Sequence, residues 1–157
     1  MTVGEPSPAG YGRRRVTVSR TVTSDPETVF AFVSDTRNDP LWCPNVTGVS
    51  QLEGDGVQMR SAFRFHQEVE MSGRTLESDV DVEIVELVKR SVRWRVEDRF
   101  QIRDVLVVVE ADGEGSRVTQ PTTAVFKRPP GIARWLYPML ARRTFRDQFD
   151  RLAEHFS

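Results

Sequence analysis

Residues 76–84 read Leu76-Glu77-Ser78-Asp79-Val80-Asp81-Val82-Glu83-Ile84. Glu77, Asp79, Asp81 and Glu83 hold every second position, and Leu76, Ser78, Val80, Val82 and Ile84 hold the others. A period of two with acids on one side and mostly aliphatic groups on the other is the mark of a strand with one wet and one buried face. The segment before it carries the same signal. Val57, Met59, Ser61, Phe63, Phe65, Val69 and Met71 share one face, interrupted by Gln67. Gln58, Arg60, Arg64, His66, Glu68 and Glu70 share the other. Ser72-Gly73 turns the chain between the two segments. After Lys89-Arg90, Val92, Trp94 and Val96 alternate with Arg93, Arg95 and Glu97. The core of the molecule is therefore expected to be an antiparallel sheet.

Further outward the pattern continues. Val46 to Glu53 is a modest strand ended by Gly54-Asp55-Gly56, a hairpin signal. Past Glu97-Asp98-Arg99, Phe100 to Ala111 is a strand whose facing is ambiguous, because Val105 to Val109 is apolar on both sides. Asp112-Gly113-Glu114-Gly115 turns into Val118, Gln120, Thr122, Ala124 and Phe126, with Pro121 pointing to an edge or a bulge. Val16, Val18 and Val22 form an earlier strand, with Arg20 on their apolar face. Ser24 or Asp25 can cap a helix opening at Pro26, whose buried side is Val29, Phe30, Phe32 and Val33. Asp39 and Pro40 open a second short helix carrying Leu41 and Trp42.

Pro129-Pro130-Gly131 ends the sheet. Ile132, Trp135, Leu136, Met139 and Leu140 then follow helical spacing, as do Phe145, Phe149, Leu152 and Phe156. Pro138 between the two groups is expected to kink or divide the helix. One long helix after a curved sheet must bury one side against it, and such an arrangement leaves a hollow suited to a small apolar molecule.

The chain has 157 residues, 22 basic and 23 acidic, with a net charge of −1. That size is one domain, and that balance gives no reason to expect nucleic acid as a partner. No stretch is long and apolar enough for stable membrane insertion, and residues 1–15 lack the apolar core of a signal peptide. These residues, with their prolines, glycines and Arg13-Arg14-Arg15, read as a flexible tail before a single domain over 16–157. The lone Cys43 can form no internal disulfide, which fits a cytoplasmic location. Metal-ligand spacings, phosphate loops and a Gly-x-Ser-x-Gly elbow are absent, so neither metal nor nucleotide cofactor is expected. A homodimer is compatible with all of this.

The β-α-α-β6-α order resembles the helix-grip fold of the SRPBCC superfamily, which includes START-like lipid-transfer domains and the polyketide cyclase/dehydrase family. Val18-Ser19-Arg20-Thr21-Val22 followed by Pro26, Val29, Phe30 and Phe32 looks like its opening strand and helix. Asp35, Asn38, Pro40, Trp42, Pro44 and Val46 look like its second-helix segment. Gly115-Ser116-Arg117-Val118-Thr119 looks like its last strand, and Leu152 with Glu154 sits where its final helix closes. The resemblance covers residues 16 to 156. It implies an α+β domain in which a seven-stranded curved antiparallel sheet wraps a long C-terminal helix.

The resemblance also implies a hydrophobic ligand. A polyketide-type intermediate processed by a cyclase or dehydratase without cofactor is the first expectation, and a non-catalytic lipid or isoprenoid carrier is the rival. The expected ligand-binding set is Trp42, Met59, Ser61, Phe63, Phe65, Ser78, Val80, Val82, Trp94, Gln120, Thr122, Trp135 and Met139. Arg20 is the candidate catalytic residue, with a structural ion pair to Asp147 or Asp150 as its other reading. Asp104 joins the inward polar groups if the ambiguous strand turns its even positions inward. Cys43 is read as a structural thiol, because no histidine stands near it and His66 points outward.

Overall fold

A computed structural model of the chain describes residues 12–71, 73–127, 131 and 133–157. Its strands are β1 (Arg13–Val22), β2 (Val46–Glu53), β3 (Ala62–Met71), β4 (Arg74–Val88), β5 (Ser91–Glu97), β6 (Gln101–Asp112) and β7 (Gly115–Phe126). Helices α1 (Pro26–Val33) and α2 (Asp39–Trp42), with a 3-10 turn between them at Thr36–Asn38, follow β1. Helix α3 (Ala133–His155) closes the chain. The strands form one antiparallel sheet in the order β1-β7-β6-β5-β4-β3-β2. Consecutive hairpins build β2 to β7, and β1 adds to the far side of β7. Met1 to Tyr11, Ser72, Pro129, Pro130 and Ile132, to which a tail, a turn and chain breaks were assigned, lie outside the described residues. Arg13 to Arg15, expected in that tail, pair with Thr123 to Val125 as the start of β1.

The alternation around residues 76–84 holds where the sheet is covered. Val80, Val82 and Ile84 are buried, and Asp79 and Asp81 are exposed. A register shift between Ile84 and Glu86 then reverses the phase, so that Leu87 packs on the core. Helix α1 starts where Asp25 accepts hydrogen bonds from the Thr28 amide (3.0 Å) and hydroxyl (2.7 Å), satisfying an amide that the first turn would leave bare. Val29 and Val33 are its buried face. Gly115 marks a close approach of β7 to the end of β1. A Cβ there would lie 2.2 Å from the Val22 carbonyl oxygen, and the neighbouring Ser116 hydroxyl donates to the Ser24 carbonyl at 2.6 Å.

Three expectations change. The strand read over residues 57–71 begins only at Ala62. Gly54, Gly56 and Arg60 all take positive φ, and the Gln51 side chain ties Gly56 through both its amide N–H and its carbonyl. The chain therefore loops rather than pairs. Strand β7 is interior despite Pro121. Its ladder to β6 lapses opposite Leu106 and Val107, while Val105↔Thr122 and Val108↔Thr119 keep one register. Helix α3 is one 23-residue helix with Pro138 inside it. The proline sits near the first turn, where the loss is confined to the single carbonyl four residues earlier.

The core lies between the inner face of the sheet and the helices. Phe63, Val80, Ile84, Val92 and Val107 supply the floor, and Phe149 and Leu152 of α3 the roof. Trp42 stacks on Phe149 with centroids 6.1 Å apart, and Phe32 stacks on His155 at 4.2 Å. The Thr23 hydroxyl donates to the Phe156 carbonyl, fixing the last turn of α3 to the β1–α1 corner.

Candidate functional site

A cavity of about 610 Å³ lies between the sheet and α3. Its floor is Phe65, Val82, Trp94, Val96, Val105 and Gln120. Tyr137, Ala141, Thr144, Phe145 and Gln148 of α3 form the roof, and Asp39, Trp42 and Cys43 of α2 close one side. Leu76, Phe100 and Leu140 also line it and are 51%, 58% and 52% exposed. These three put the opening between the first turns of α3 and the β3–β4 and β5–β6 connections.

Of the residues singled out in the sequence, Trp42, Phe65, Ser78, Val82, Trp94 and Gln120 line this cavity. The others do not. Met59, half exposed, belongs to the loop that replaces the first part of the expected strand. Ser61 is buried, with its hydroxyl donating to the Gly56 carbonyl at 2.9 Å. Phe63 and Val80 are fully packed core. Thr122 is buried against Gln120. Trp135 and Met139 are 73% and 62% exposed. Helix α3 buries the stripe Ala141, Phe145, Phe149 and Leu152, and counting back by four from Ala141 reaches Tyr137. Trp135 and Met139, two residues either side of Tyr137, lie about 200° round the helix from it.

Arg20 also stands apart. Its guanidinium and the Asp150 carboxylate are 2.7 Å apart and about half exposed, in a separate groove of about 410 Å³ between β1 and α3. The position does fall on the face of Val18 and Val22. However, β1 is an edge strand, so a long side chain can reach round the rim to water. Asp104 faces out and pairs with Arg93 at 2.6 Å.

The sequence reading did not place Asp39, Arg103 or Tyr137 at the site. Asp39 was read only as a helix opener. Arg103 was recoverable: across the Gly113 turn Val118 opposes Val109, so the inward phase of β7 turns Val109, Val107, Val105 and Arg103 inward. Tyr137 follows from carrying the Phe145 stripe backward through Pro138.

Burial dominates the electrostatics at Asp39, Cys43 and Tyr137. Burial pushes the Asp39 carboxyl well above its ordinary value, and the nearby Asp35 adds to the rise against the opposing effect of the Trp42 indole. Burial, with the adjacent Asp39, likewise pushes the Cys43 thiol up, which withholds the thiolate that nucleophilic chemistry requires. Burial raises the Tyr137 phenol too, with the Arg103 charge opposing. Thr36 Oγ1, Trp94 Nε1, Gln101 Oε1, Arg103 Nε and Tyr137 OH are buried, line the cavity, and have no hydrogen-bond partner among the described residues. One polar link crosses from roof to floor, Gln148 Nε2 to Gln120 Oε1 at 3.4 Å. On the outer face, His66, Glu68 and Glu77 bring ligand atoms within 4.8 Å of one another. His66 there is hydrogen-bonded to Asp79, which raises its pKa, and such grouping is what cross-strand pairing on an acidic face produces.

Comparison with known proteins agrees with this architecture. The family model described as polyketide cyclase / dehydrase and lipid transport matches residues 13–157. The Zhui aromatase/cyclase from Streptomyces sp. R1128 superposes with a TM-score of 0.74 at 14% identity, covering 92% of this chain and 93% of that one. Ginseng major latex-like protein 151 from Panax ginseng gives 0.69 at 16% identity, covering 92% and 97%. TTHA0849 from Thermus thermophilus gives 0.70 at 19% identity, covering 90% and 95%. At these identities the three structures speak to the fold. No curated protein matches the chain by sequence.

Proposed function

The chain belongs to the polyketide cyclase / dehydrase and lipid transport family, and from that premise we propose that its cavity binds a small, largely apolar molecule and orients a polyketide-type intermediate for cyclisation or dehydration. The observation that carries this reading is the distribution of polar atoms in the cavity wall. A carrier of plain lipid needs one polar end in an apolar tunnel. Here polar groups come from opposed surfaces: Trp94, Arg103 and Gln120 from the sheet, Tyr137, Thr144 and Gln148 from α3, and Asp39 from α2. A chain bearing several carbonyls could meet hydrogen-bond donors at several points along its length, which fixes its fold and polarises chosen carbonyls. Burial favours the neutral form of Asp39, which is a donor of that kind. Cys43 supplies no nucleophile, so shape and hydrogen bonding carry the chemistry.

The test has two parts. Native mass spectrometry of protein from its source should show a retained small molecule. A panel of aromatic polyketides, fatty acids and isoprenoids should then quench tryptophan fluorescence, with oxygenated aromatic compounds binding most tightly. Preference for unbranched lipids, with no turnover of a poly-β-ketone, would favour the non-catalytic carrier. No binding by any class would end the cavity reading altogether.

A further inference from the structure

The register of the sheet places a cation inside. Arg103 of β6 lies between Val96 of β5 and Ala124 of β7 in the ladder, on the inner face. Both neighbours are short, so the guanidinium is not crowded by its own layer. Along the same face, Trp94 lies opposite Val105, one inward position further. Gln101 lies opposite Phe126, and Tyr137 descends from α3 with its ring edge-on to Phe126 at 5.8 Å and 88°. Arg103, Trp94, Gln101 and Tyr137 therefore meet at one end of the cavity.

These four groups share a second property. Arg103 Nε, Trp94 Nε1, Gln101 Oε1 and Tyr137 OH are each buried without a hydrogen-bond partner among the described residues. Arg103 as a whole is part-buried, and it is Nε that is sealed from water. A buried donor ordinarily has a hydrogen-bond partner, and Nε has none among the described residues. Asp98, the acid on the adjoining turn, accepts the Phe100 and Gln101 amides at 2.7 and 2.9 Å. The other acids at the cavity are Glu77, an exposed rim residue of β4, and Asp39 from α2.

We propose that Arg103, Tyr137 and Trp94 form an oxyanion-binding end of the cavity, which takes the carboxylate of a largely apolar ligand. This rests on the reading that the cavity holds a small molecule, and it names the polar head of that molecule. On the inner face one guanidinium, a planar fork with two neutral donors beside it, matches the lone pairs of a carboxylate. Arg99 also lines the cavity but is exposed at the opening, its guanidinium 5.5 Å from the centroid of the Phe100 ring. Phe65, Val82, Val96, Val105 and Phe145 give the rest of the ligand a largely apolar wall, with Gln120, Thr144 and Gln148 as further polar contacts.

The experiment compares an acid with its own ester. The probes are cis-parinaric acid and 1-pyrenebutyric acid, each beside its methyl ester, titrated at pH 7.5 into the full chain and followed by tryptophan quenching. The expected result is at least tenfold tighter binding of each acid than of its ester. Arg103→Met should abolish that preference. Tyr137→Phe should narrow the preference several-fold. Equal affinity of acid and ester in the unmodified protein overturns the proposal and leaves the cavity reading standing, as does an acid preference that survives in Arg103→Met. Binding of neither acid nor ester removes both. Should Arg103→Met fail to fold, the unmodified protein and Tyr137→Phe decide the matter.

Discussion

At the scale of single residues, Asp39 is the group whose burial has the clearest consequence. Its folded pKa is raised, so the folded protein holds this proton more tightly than the unfolded chain does. The linkage runs opposite to that of a salt-bridged acid. Stability from this group is greatest below the ordinary value of 3.8 and falls as pH rises through the interval up to the raised value. Asp39→Asn keeps the shape and removes the titration. Its melting temperature should exceed that of the parent at pH 7, by about 2 °C or more for each kcal/mol recovered, and the difference should vanish near pH 3.5. A pH series of thermal melts on the two proteins checks this. Arg20 is the contrasting case. Its pair with Asp150 is half exposed on both sides, so Arg20→Ala should cost between about 0 and 1 kcal/mol in urea denaturation and leave ligand affinity unchanged. The two residues also show what a sequence discloses. Arg20 was conspicuous because a charge on an apolar face breaks the alternation, yet the edge of the sheet lets it escape. Asp39 was inconspicuous because an acid before a proline at a helix start needs no special explanation. Whether it is wet depends on what α3 covers.

Elements differ in how far their one-dimensional pattern fixes their three-dimensional phase. Strands β4 and β5 alternate cleanly, so each inward residue could be named in advance, up to the bulge near Val85. Strand β6 carries Leu106, Val107, Val108 and Val109 on both faces, and no period can be read from a uniform run. Its phase is set by the turn at Gly113 and by pairing with β7, which is a property of two strands together. Helix α3 has two apolar stripes that are out of step. Only contact with the sheet decides that Phe145 and Phe149 face inward while Trp135 and Met139 face out. Three predictions belong at this scale. Phe149→Ala removes a ring that stacks on Trp42 at the centre of the roof, and should cost about 3–5 kcal/mol in chemical denaturation. Phe145→Ala, one turn earlier and facing the cavity, merges lost volume with existing space and should enlarge the range of ligands accepted. Gly115→Ala would place a methyl against the Val22 carbonyl and should destabilise by about 1–3 kcal/mol, read in the same denaturation series.

For the molecule as a whole, sheet and helix are held together at one end and apart at the other. Near the C-terminus of α3, Leu152 is fully buried, Phe32 sits between His155 and Phe156, and Thr23 holds the last turn. Near its N-terminus, Leu140 is half exposed and Tyr137 and Ala141 line the cavity, with Tyr137 reaching the sheet at Phe126. Stability is therefore concentrated away from the opening, and the wall that a ligand would contact is the part with least packing of its own. A ligand that fills the cavity adds the contacts this end lacks. It should raise the melting temperature, with a stabilisation of about 2.7 kcal/mol at a hundredfold excess over its dissociation constant. It should also slow amide hydrogen exchange chiefly in the first turns of α3 and in the β5–β6 connection, leaving residues 149–155 nearly unchanged. Val105→Trp fills the cavity from the sheet side. It should mimic part of that protection without ligand, and it should weaken large ligands more than small ones. Uniform protection along α3 on ligand binding, or none at its N-terminal end, would show that the ligand sits elsewhere than between Tyr137 and the sheet.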